Sequence, residues 1–228
     1  NDTVKIPEKE QLSQDIKTDV LIIGGGLCGI LCAHFLQNKG IDYILVEGEK
    51  IASGITKNTT AKITSQHGLI YKDLIKKSGI EKAGAYLTAN QIALSEYERI
   101  CQNIDCDFEK RNSYIYSLNN RAKIEDEINS LARLGFKTTF VQETELPFKI
   151  HGAVCFENQT QFNPLKFIAA ISNDLKIFEN TFVYDLTPKQ AITTKGTIKA
   201  NSIIVATHFP FLNKHGSYFL KLYQERSY

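Results

Sequence analysis

Methionine and tryptophan are both absent from the 228 residues, so the chain does not begin with an initiator methionine. Its last ten residues, FLKLYQERSY, have a strand-like alternation that stops without a turn or a tail. We therefore expect this chain to be a fragment of a longer protein.

Long apolar runs are also missing. No run approaches the roughly twenty residues of a membrane-spanning helix, and the polar N-terminus lacks the apolar region of a signal peptide. Basic and acidic residues are nearly balanced, at 27 and 25, which disfavours a nucleic-acid or membrane-surface partner. The five cysteines are an odd number without regular spacing, which is typical of a reducing compartment. We expect a cytoplasmic protein without a membrane span.

Paired metal-ligand motifs are a further absence. Cys28 and Cys32 lie four residues apart on a predicted helix, but no second cysteine or histidine pair has matching spacing. We interpret both cysteines as small packing residues and expect no metal site.

A glycine-rich turn is the most informative motif that the sequence contains. Residues 20–23 predict a short buried strand, and a helical pattern follows it. Between them, Gly24, Gly26 and Gly29 fit G-x-G-x-x-G. The first glycine allows the tight turn, the second allows backbone to approach a pyrophosphate, and the third allows close packing of helix on strand.

The start of the helix and the end of the next strand strengthen this prediction. The first helical residues, Leu27 and Cys28, offer backbone N–H groups to phosphates. Glu47 ends the second strand, 23 residues after Gly24, where its carboxylate can accept hydrogen bonds from ribose hydroxyls. A carboxylate there repels a 2′-phosphate, so the site favours a dinucleotide other than NADP.

The rest of the chain favours FAD over NAD. A second βαβ unit, which an NAD-binding domain would have, does not follow residue 48. A polar segment and a mixed insertion come instead. The chain then returns to a helix, a meander of short strands and a buried strand ending IIVAT at residues 203–207. This late return is typical of the flavin-binding version of the fold.

Several motifs together resemble the D-amino-acid oxidase (DAO) superfamily of FAD-dependent oxidoreductases. They are GGGLCGILCAHFL, the terminal Glu47, QFNP before a helix, ENTFV and IIVATH. The segments NTTAKITSQHGLIY and THFPFLNKHGSYFLKLYQERSY are more narrowly similar to a bacterial glycine/D-amino-acid-oxidase-like subgroup. Some members of that subgroup carry a C-terminal Rieske domain.

The chain departs from this family in three ways. His208 stands where the family usually has glycine. The cysteine and histidine pairs of a Rieske centre are absent from this sequence, and so is the family's final segment, which returns to the flavin domain.

The resemblance implies cofactor contacts from the loop after the second strand and from two later strands. Beyond the residues already named, they are Gly48, Ser53, Gly54, Thr59, Thr60, Ala61, Lys62, Val183, Ala206 and Thr207. Hydroxyl, N–H and lysine groups suit phosphate or flavin oxygens, although an ordinary polar loop with a helix cap has the same composition.

Three residues are candidates for the reaction itself. His67 would lie near the flavin and tune it or accept a proton, or it is a hydrogen-bonded structural histidine. By resemblance, Tyr223 and Arg226 lie on a strand that enters the substrate lobe, where they would bind a substrate carboxylate.

We therefore predict an α/β fold, with a Rossmann-like FAD-binding domain of the glutathione-reductase type and a mixed α+β substrate-domain insertion. The FAD-binding domain comprises residues 1–73 and 163–210, the insertion comprises residues 74–162, and residues 211–228 begin a return into the substrate domain.

The predicted activity is oxidation of an amine or amino acid by hydride transfer from carbon to flavin N5. An NAD(P)H-fed reductase or hydroxylase is one alternative, and a non-catalytic FAD-binding or electron-transfer component is another. The substrate, the electron acceptor (oxygen or a partner protein) and the oligomeric state stay open.

Overall fold

A computed structural model describes residues 4–209, which form two compact units. The first unit contains the described residues up to Thr60 and from Pro164 onward, and the second contains Ala61–Asn163. In chain order, the elements are β1 (Ile16–Ile23), α1 (Leu27–Asn38), β2 (Tyr43–Val46), β3 (Lys62–Ile63), α2 (Tyr71–Cys101), β4 (Glu109–Ser117), α3 (Arg121–Arg133), β5 (Thr139–Val141), β6 (Gly152–Gln161), α4 (Pro164–Ile171), β7 (Ile177–Phe178), β8 (Val183–Thr187), β9 (Gln190–Thr193) and β10 (Gly196–Val205). None of the described helices is both long and apolar enough to span a membrane.

The first unit is built on a six-stranded sheet in the order β7-β2-β1-β10-β9-β8. The strand β1 runs parallel to β2 on one side and to β10 on the other, and β2 runs parallel to β7. The strands β10, β9 and β8 form an antiparallel meander. Leu21, Ile23, Val46 and Ile198 belong to its core, as expected of short apolar strands in the middle of a sheet. The predicted Rossmann-like α/β fold is confirmed.

The second unit is a four-stranded antiparallel sheet with two helices packed on it. Strand β6 pairs with β3, β4 and β5. The apolar side chains of α2 and α3 meet the sheet in a core that contains Leu87, Leu131 and Phe156. Helix α2 is interrupted at Gly79, whose φ of 84° and ψ of 163° are not helical. The mixed α+β character predicted for the insertion is present in this unit.

The boundaries between the two units differ from the domain boundaries that the sequence predicts. The chain leaves the first unit after Thr60, whereas the sequence places that boundary after residue 73. The physical reason is strand pairing, because Lys62 and Ile63 pair with Gln161 and Thr160 of β6. Only two residues make this strand, so it leaves no alternating pattern for sequence analysis to detect.

Candidate functional site

The glycine turn joins β1 to α1, and two of its three motif glycines are required by the protein itself. Gly24 has a φ of +112°, and a Cβ there would lie 2.8 Å from the carbonyl oxygen of Ala206. A Cβ at Gly29 would lie only 1.9 Å from the carbonyl oxygen of Gly24. The turn and the first helix therefore pack without room for a side chain at either position.

Gly26 is different, because its own chain does not require a glycine there. Its φ of −77° and ψ of −178° are open to any residue. Among the described residues, a Cβ would meet only the Thr56 hydroxyl, at 3.4 Å. The space that the missing side chain leaves is therefore available to a ligand, which fits the role expected of the second glycine.

The N-terminus of α1 faces this open space with few partners of its own. Gly26 is the N-cap residue and offers no side chain to the helix, and the first turn contains no acidic residue. The Leu27 N–H donates to the Thr56 hydroxyl at 3.2 Å. Thr56 was not among the predicted residues, although it lies in the hydroxyl-rich loop that was predicted to contact the cofactor. The helix end keeps the partial positive charge that attracts a phosphate.

Cys28 corrects one sequence-based interpretation. We expected Cys28 and Cys32 to be packing residues, but Cys28 is exposed and Cys32 is half-buried. Exposure follows from position, because Cys28 is in the first turn of α1, beside the open space at Gly26. Among residues 4–209, no group of three or more histidine, cysteine, aspartate or glutamate side chains could hold a metal ion.

Glu47 links the end of β2 to the glycine turn. One carboxyl oxygen accepts a hydrogen bond from the Gly25 N–H at 2.6 Å, and the other accepts one from the Glu49 N–H at 2.9 Å. A carboxylate has about four acceptor positions, so capacity for ribose hydroxyls is left over. Its second role, holding the glycine turn in place, was not visible in the sequence.

A cavity of about 270 Å³ lies beside these residues, within the first unit. Five of the predicted cofactor residues line it: Gly24, Glu47, Gly48, Val183 and Thr207. Glu49, Thr181 and Phe182 also line it and were not predicted. The Thr207 hydroxyl is buried and has no hydrogen-bond partner among the described residues. A buried hydroxyl without a partner is costly, and a polar ligand in the cavity would relieve that cost.

The loop after β2 divides between the two units. Ser53, Gly54, Thr59 and Thr60 belong to the first unit, and Ser53 makes a backbone hydrogen bond to the Lys50 carbonyl at 3.2 Å. Ala61 and Lys62 belong to the second unit. Their predicted cofactor roles remain predictions.

Glu179, which was not among the predicted residues, holds the loop after β2 within the first unit. Its side chain is 2% exposed and accepts hydrogen bonds from the Ile51 N–H at 2.8 Å and from the Lys9 N–H at 3.2 Å. The next residues continue the connection, because the Thr181 N–H donates to the Glu47 carbonyl at 2.8 Å. The segment from Glu47 to Ile51 is thus held by the Glu179 side chain at one end and by the Thr181 N–H at the other.

His67 lies in the second unit, exposed, at the end of a well-anchored segment. Its Nδ1 is 2.9 Å from the hydroxyl of Tyr86 on α2. The preceding Ser65 is fully buried, and its N–H donates to the side-chain oxygen of Gln159 at 2.9 Å. The imidazole therefore projects from a fixed support, with Nε2 as its other ring nitrogen. Tyr223 and Arg226 lie outside the described residues.

His208, the residue that replaces a family glycine, is compatible with the described backbone. Five non-glycine residues in the described range have positive φ values, and His208 is not among them. The end of β10 therefore does not need the conformational freedom of glycine here. Ala206 directly follows β10, and its N–H donates to the Ile23 carbonyl at 2.8 Å.

Comparison with solved structures finds the same fold in other proteins. The chain superposes on the L-proline dehydrogenase from P. horikoshii with a TM-score of 0.69 and 19% identity, covering 85% of this chain and 53% of that one. For glycine oxidase from Bacillus cereus the TM-score is 0.57 and the identity 24%, over 83% of this chain and 55% of that one. These likenesses concern the fold.

Two proteins are similar to the chain in sequence over most of its length. A putative Rieske 2Fe-2S iron-sulfur protein, YhfW, from Bacillus subtilis is 33% identical, covering 98% of this chain and 46% of the relative. Gamma-glutamylputrescine oxidoreductase from Escherichia coli is 22% identical, covering 86% of this chain and 50% of the relative. The chain spans about half the length of these relatives.

The family model described as FAD dependent oxidoreductase, DAO, matches residues 19–228. That range begins in β1 and includes the glycine turn, Glu47 and the end of β10. FAD is the cofactor of this family, and the open space at Gly26 and the unpartnered Thr207 hydroxyl fit such a ligand. The chain thus belongs to the DAO family of FAD-dependent oxidoreductases.

Proposed function

We propose that this chain holds FAD and part of the substrate domain in an enzyme that oxidises an amine or amino acid. The observation that carries the proposal is one cavity lined by Gly24, Glu47 and Thr207, and the Thr207 hydroxyl has no hydrogen-bond partner among the described residues. A carboxylate for ribose hydroxyls beside a helix N-terminus for phosphates is the arrangement that a dinucleotide needs.

The substrate class is supported by the names of the relatives. Gamma-glutamylputrescine oxidoreductase, L-proline dehydrogenase and glycine oxidase are all named for compounds that contain an amine nitrogen. When bound, the flavin supplies the ring that accepts a hydride at N5 from the carbon beside that nitrogen. The chain's own residues contribute by binding and orientation, and His67 contributes a ring nitrogen that can hold a proton.

Anaerobic reduction across a panel of substrates tests this function. The purified full-length protein should be yellow, and its absorbance near 450 nm should bleach with at least one amine or amino acid and not with NADH alone. Rapid bleaching by NADH without an amine would replace the proposal with a reductase. A colourless protein that does not bind added FAD would rule out the proposed function.

Glu47→Gln is expected to weaken FAD binding about 10-fold to 100-fold. The amide nitrogen cannot accept a hydrogen bond, so the substitution removes one acceptor and the negative charge facing the ribose. Titration of the apoprotein with FAD, followed by flavin fluorescence, measures the change. Asp42→Asn is the matched control, because Asp42 is exposed, precedes the same strand and accepts hydrogen bonds from Lys176 and Thr18. If the Glu47 variant and the wild type bind FAD with equal affinity, Glu47 does not contact the cofactor.

His67→Gln is expected to slow anaerobic flavin reduction about 100-fold while leaving FAD affinity unchanged. The expected loss is at the lower end of what a positioned general acid or base contributes. Stopped-flow absorbance with the best substrate of the panel measures the rate. His151→Gln, an exposed histidine in the same unit, should reduce at the wild-type rate. A His67 variant with full rate would establish the structural interpretation of this histidine.

A further inference from the structure

Phe182 is an exposed aromatic residue in the wall of the 270 Å³ cavity. It precedes β8, and 52% of its surface remains exposed although its neighbours Thr181 and Val183 are almost fully buried. Leaving a large apolar ring in water forfeits the gain that its burial would give. A ring in this position therefore has a surface available to a ligand.

The main chain around Phe182 is held on both sides. The Phe182 N–H donates to the Thr194 hydroxyl at 3.3 Å, and the Phe182 carbonyl accepts from the Thr194 N–H at 2.9 Å. Thr181 is tied to the Glu47 carbonyl at 2.8 Å. The segment that carries Phe182 is therefore hydrogen-bonded to the segment that carries Glu47.

Gly48 explains how the ring is placed. A Cβ at Gly48 would lie 2.9 Å from Cδ2 of Phe182, which is too close for an ordinary contact. One edge of the phenyl ring, at Cδ2, therefore lies in the space that a side chain at position 48 would need. The missing side chain at position 48 keeps the ring beside the cavity.

We propose that Phe182 binds the adenine ring of FAD by stacking, and that Gly48 holds the phenyl ring in place for it. The inference rests on the proposed function, since it assigns a residue to the cofactor of that site. A carboxylate, an unpartnered hydroxyl and an aromatic face in one cavity match the ribose and base of an adenosine. Every nucleobase offers a flat π-face to an aromatic side chain. The site would then recognise the adenosine half of FAD and discriminate against FMN, which lacks it.

Binding titrations on the apoprotein with FAD, ADP and FMN test this assignment. For Phe182→Ala we expect the dissociation constants for FAD and ADP to rise about 10-fold, while any weak binding of FMN stays unchanged. Phe182→Trp should retain or increase the affinity for FAD and ADP. Gly48→Ala should weaken FAD and ADP as Phe182→Ala does, because it displaces the ring.

Tyr184→Ala is the matched control. Tyr184 is two residues further along the chain and is 57% exposed, and within the described range it does not line the cavity. Its variant should bind FAD and ADP as the wild type does. Thermal unfolding of each apoprotein checks that the substitutions leave the fold intact.

The outcomes separate the two proposals. A wild type that binds FAD, together with a Phe182→Ala variant that binds it equally well, overturns the stacking role and leaves the proposed function standing. An equal loss of FAD, ADP and FMN affinity also overturns it, since Phe182 would then act through the fold. A wild type that binds neither FAD nor ADP overturns the proposed function, and this inference with it.

Discussion

Gly29→Ala is expected to destabilise the protein by about 4 kcal/mol or more and to abolish FAD binding. The new Cβ would lie 1.9 Å from the carbonyl oxygen of Gly24, and that oxygen belongs to main chain that cannot rotate away as a side chain would. Helix α1 would have to move away from β1 by more than an ångström. That movement would break the packing of Ile30 and Ala33, both fully buried.

Gly26→Ala provides the matched comparison on the same turn. Within residues 4–209 its Cβ would approach only the Thr56 hydroxyl, at 3.4 Å, and its backbone conformation suits alanine. We expect the apoprotein of this variant to remain within about 1 kcal/mol of the wild type. The same methyl group would occupy the space left for the cofactor, so FAD affinity should fall at least 10-fold.

Urea unfolding with and without added FAD measures both effects together. A ligand that binds only the folded state raises its apparent stability by an amount that grows with ligand concentration over the dissociation constant. The wild type should gain stability from FAD, and Gly26→Ala should gain much less at the same concentration. If Gly29→Ala folds and binds FAD normally, α1 does not approach the glycine turn as closely as described. If Gly26→Ala binds FAD normally, the open space has another purpose.

Glu127→Ala is expected to destabilise the second unit by about 3 kcal/mol. Glu127 is 1% exposed on α3, and its carboxyl oxygens accept hydrogen bonds from the Tyr71 N–H at 2.8 Å and the Lys72 N–H at 3.0 Å. These are N–H groups of the first turn of α2, whose own N-cap residue Ile70 supplies no side-chain bond. Alanine would leave both donors without an acceptor and open a cavity.

The arrangement around Tyr71 adds to this cost. Tyr71 is fully buried, and its hydroxyl donates to the Ser65 carbonyl at 2.5 Å. Burial, more than the nearby Tyr86 and Glu127, raises the pKa of the Tyr71 hydroxyl above its usual range. Loss of the Glu127 acceptor would therefore destabilise both the start of α2 and the segment from Ser65 to His67.

Urea unfolding followed by circular dichroism measures the loss, with two companion variants. Glu127→Gln keeps one side-chain acceptor and should lose about half as much as alanine. Glu125→Ala removes an exposed carboxylate that pairs with Arg121 one turn away, so it should cost no more than about 0.5 kcal/mol. Equal losses at positions 125 and 127 would show that Glu127 does not cap α2.

The flavin-binding fold was predictable because its signals are local. The strand, glycine turn, helix, second strand and Glu47 all lie within residues 20–47, where hydrophobic period and spacing specify the element types. The return through a meander to IIVAT was read from short apolar runs with turns between them. Those features sufficed to favour FAD over NAD.

The missed features depend on partners far apart in sequence. Phe182 lines the cavity together with Gly48, which lies far from it in sequence, and Glu179 accepts a hydrogen bond from the Ile51 N–H, 128 positions away. Glu127 caps a helix that begins 56 positions earlier. Exposure is equally non-local, which is why the interpretation of Cys28 as a packing residue was wrong. Composition and periodicity contain no information about such pairs.

The central position of β1 has a consequence for synthesis of the chain. Its partner β2 follows α1 in the chain, but its other edge pairs with β10, and the bonded residues Asp19 and Asn201 are 182 positions apart. At a translation rate of about 5–20 residues per second, that edge stays unpaired on the ribosome for about ten seconds or longer. An open apolar strand edge is a template for pairing with another chain. We therefore expect folding yield to depend on how fast the second unit folds and brings β10 within reach.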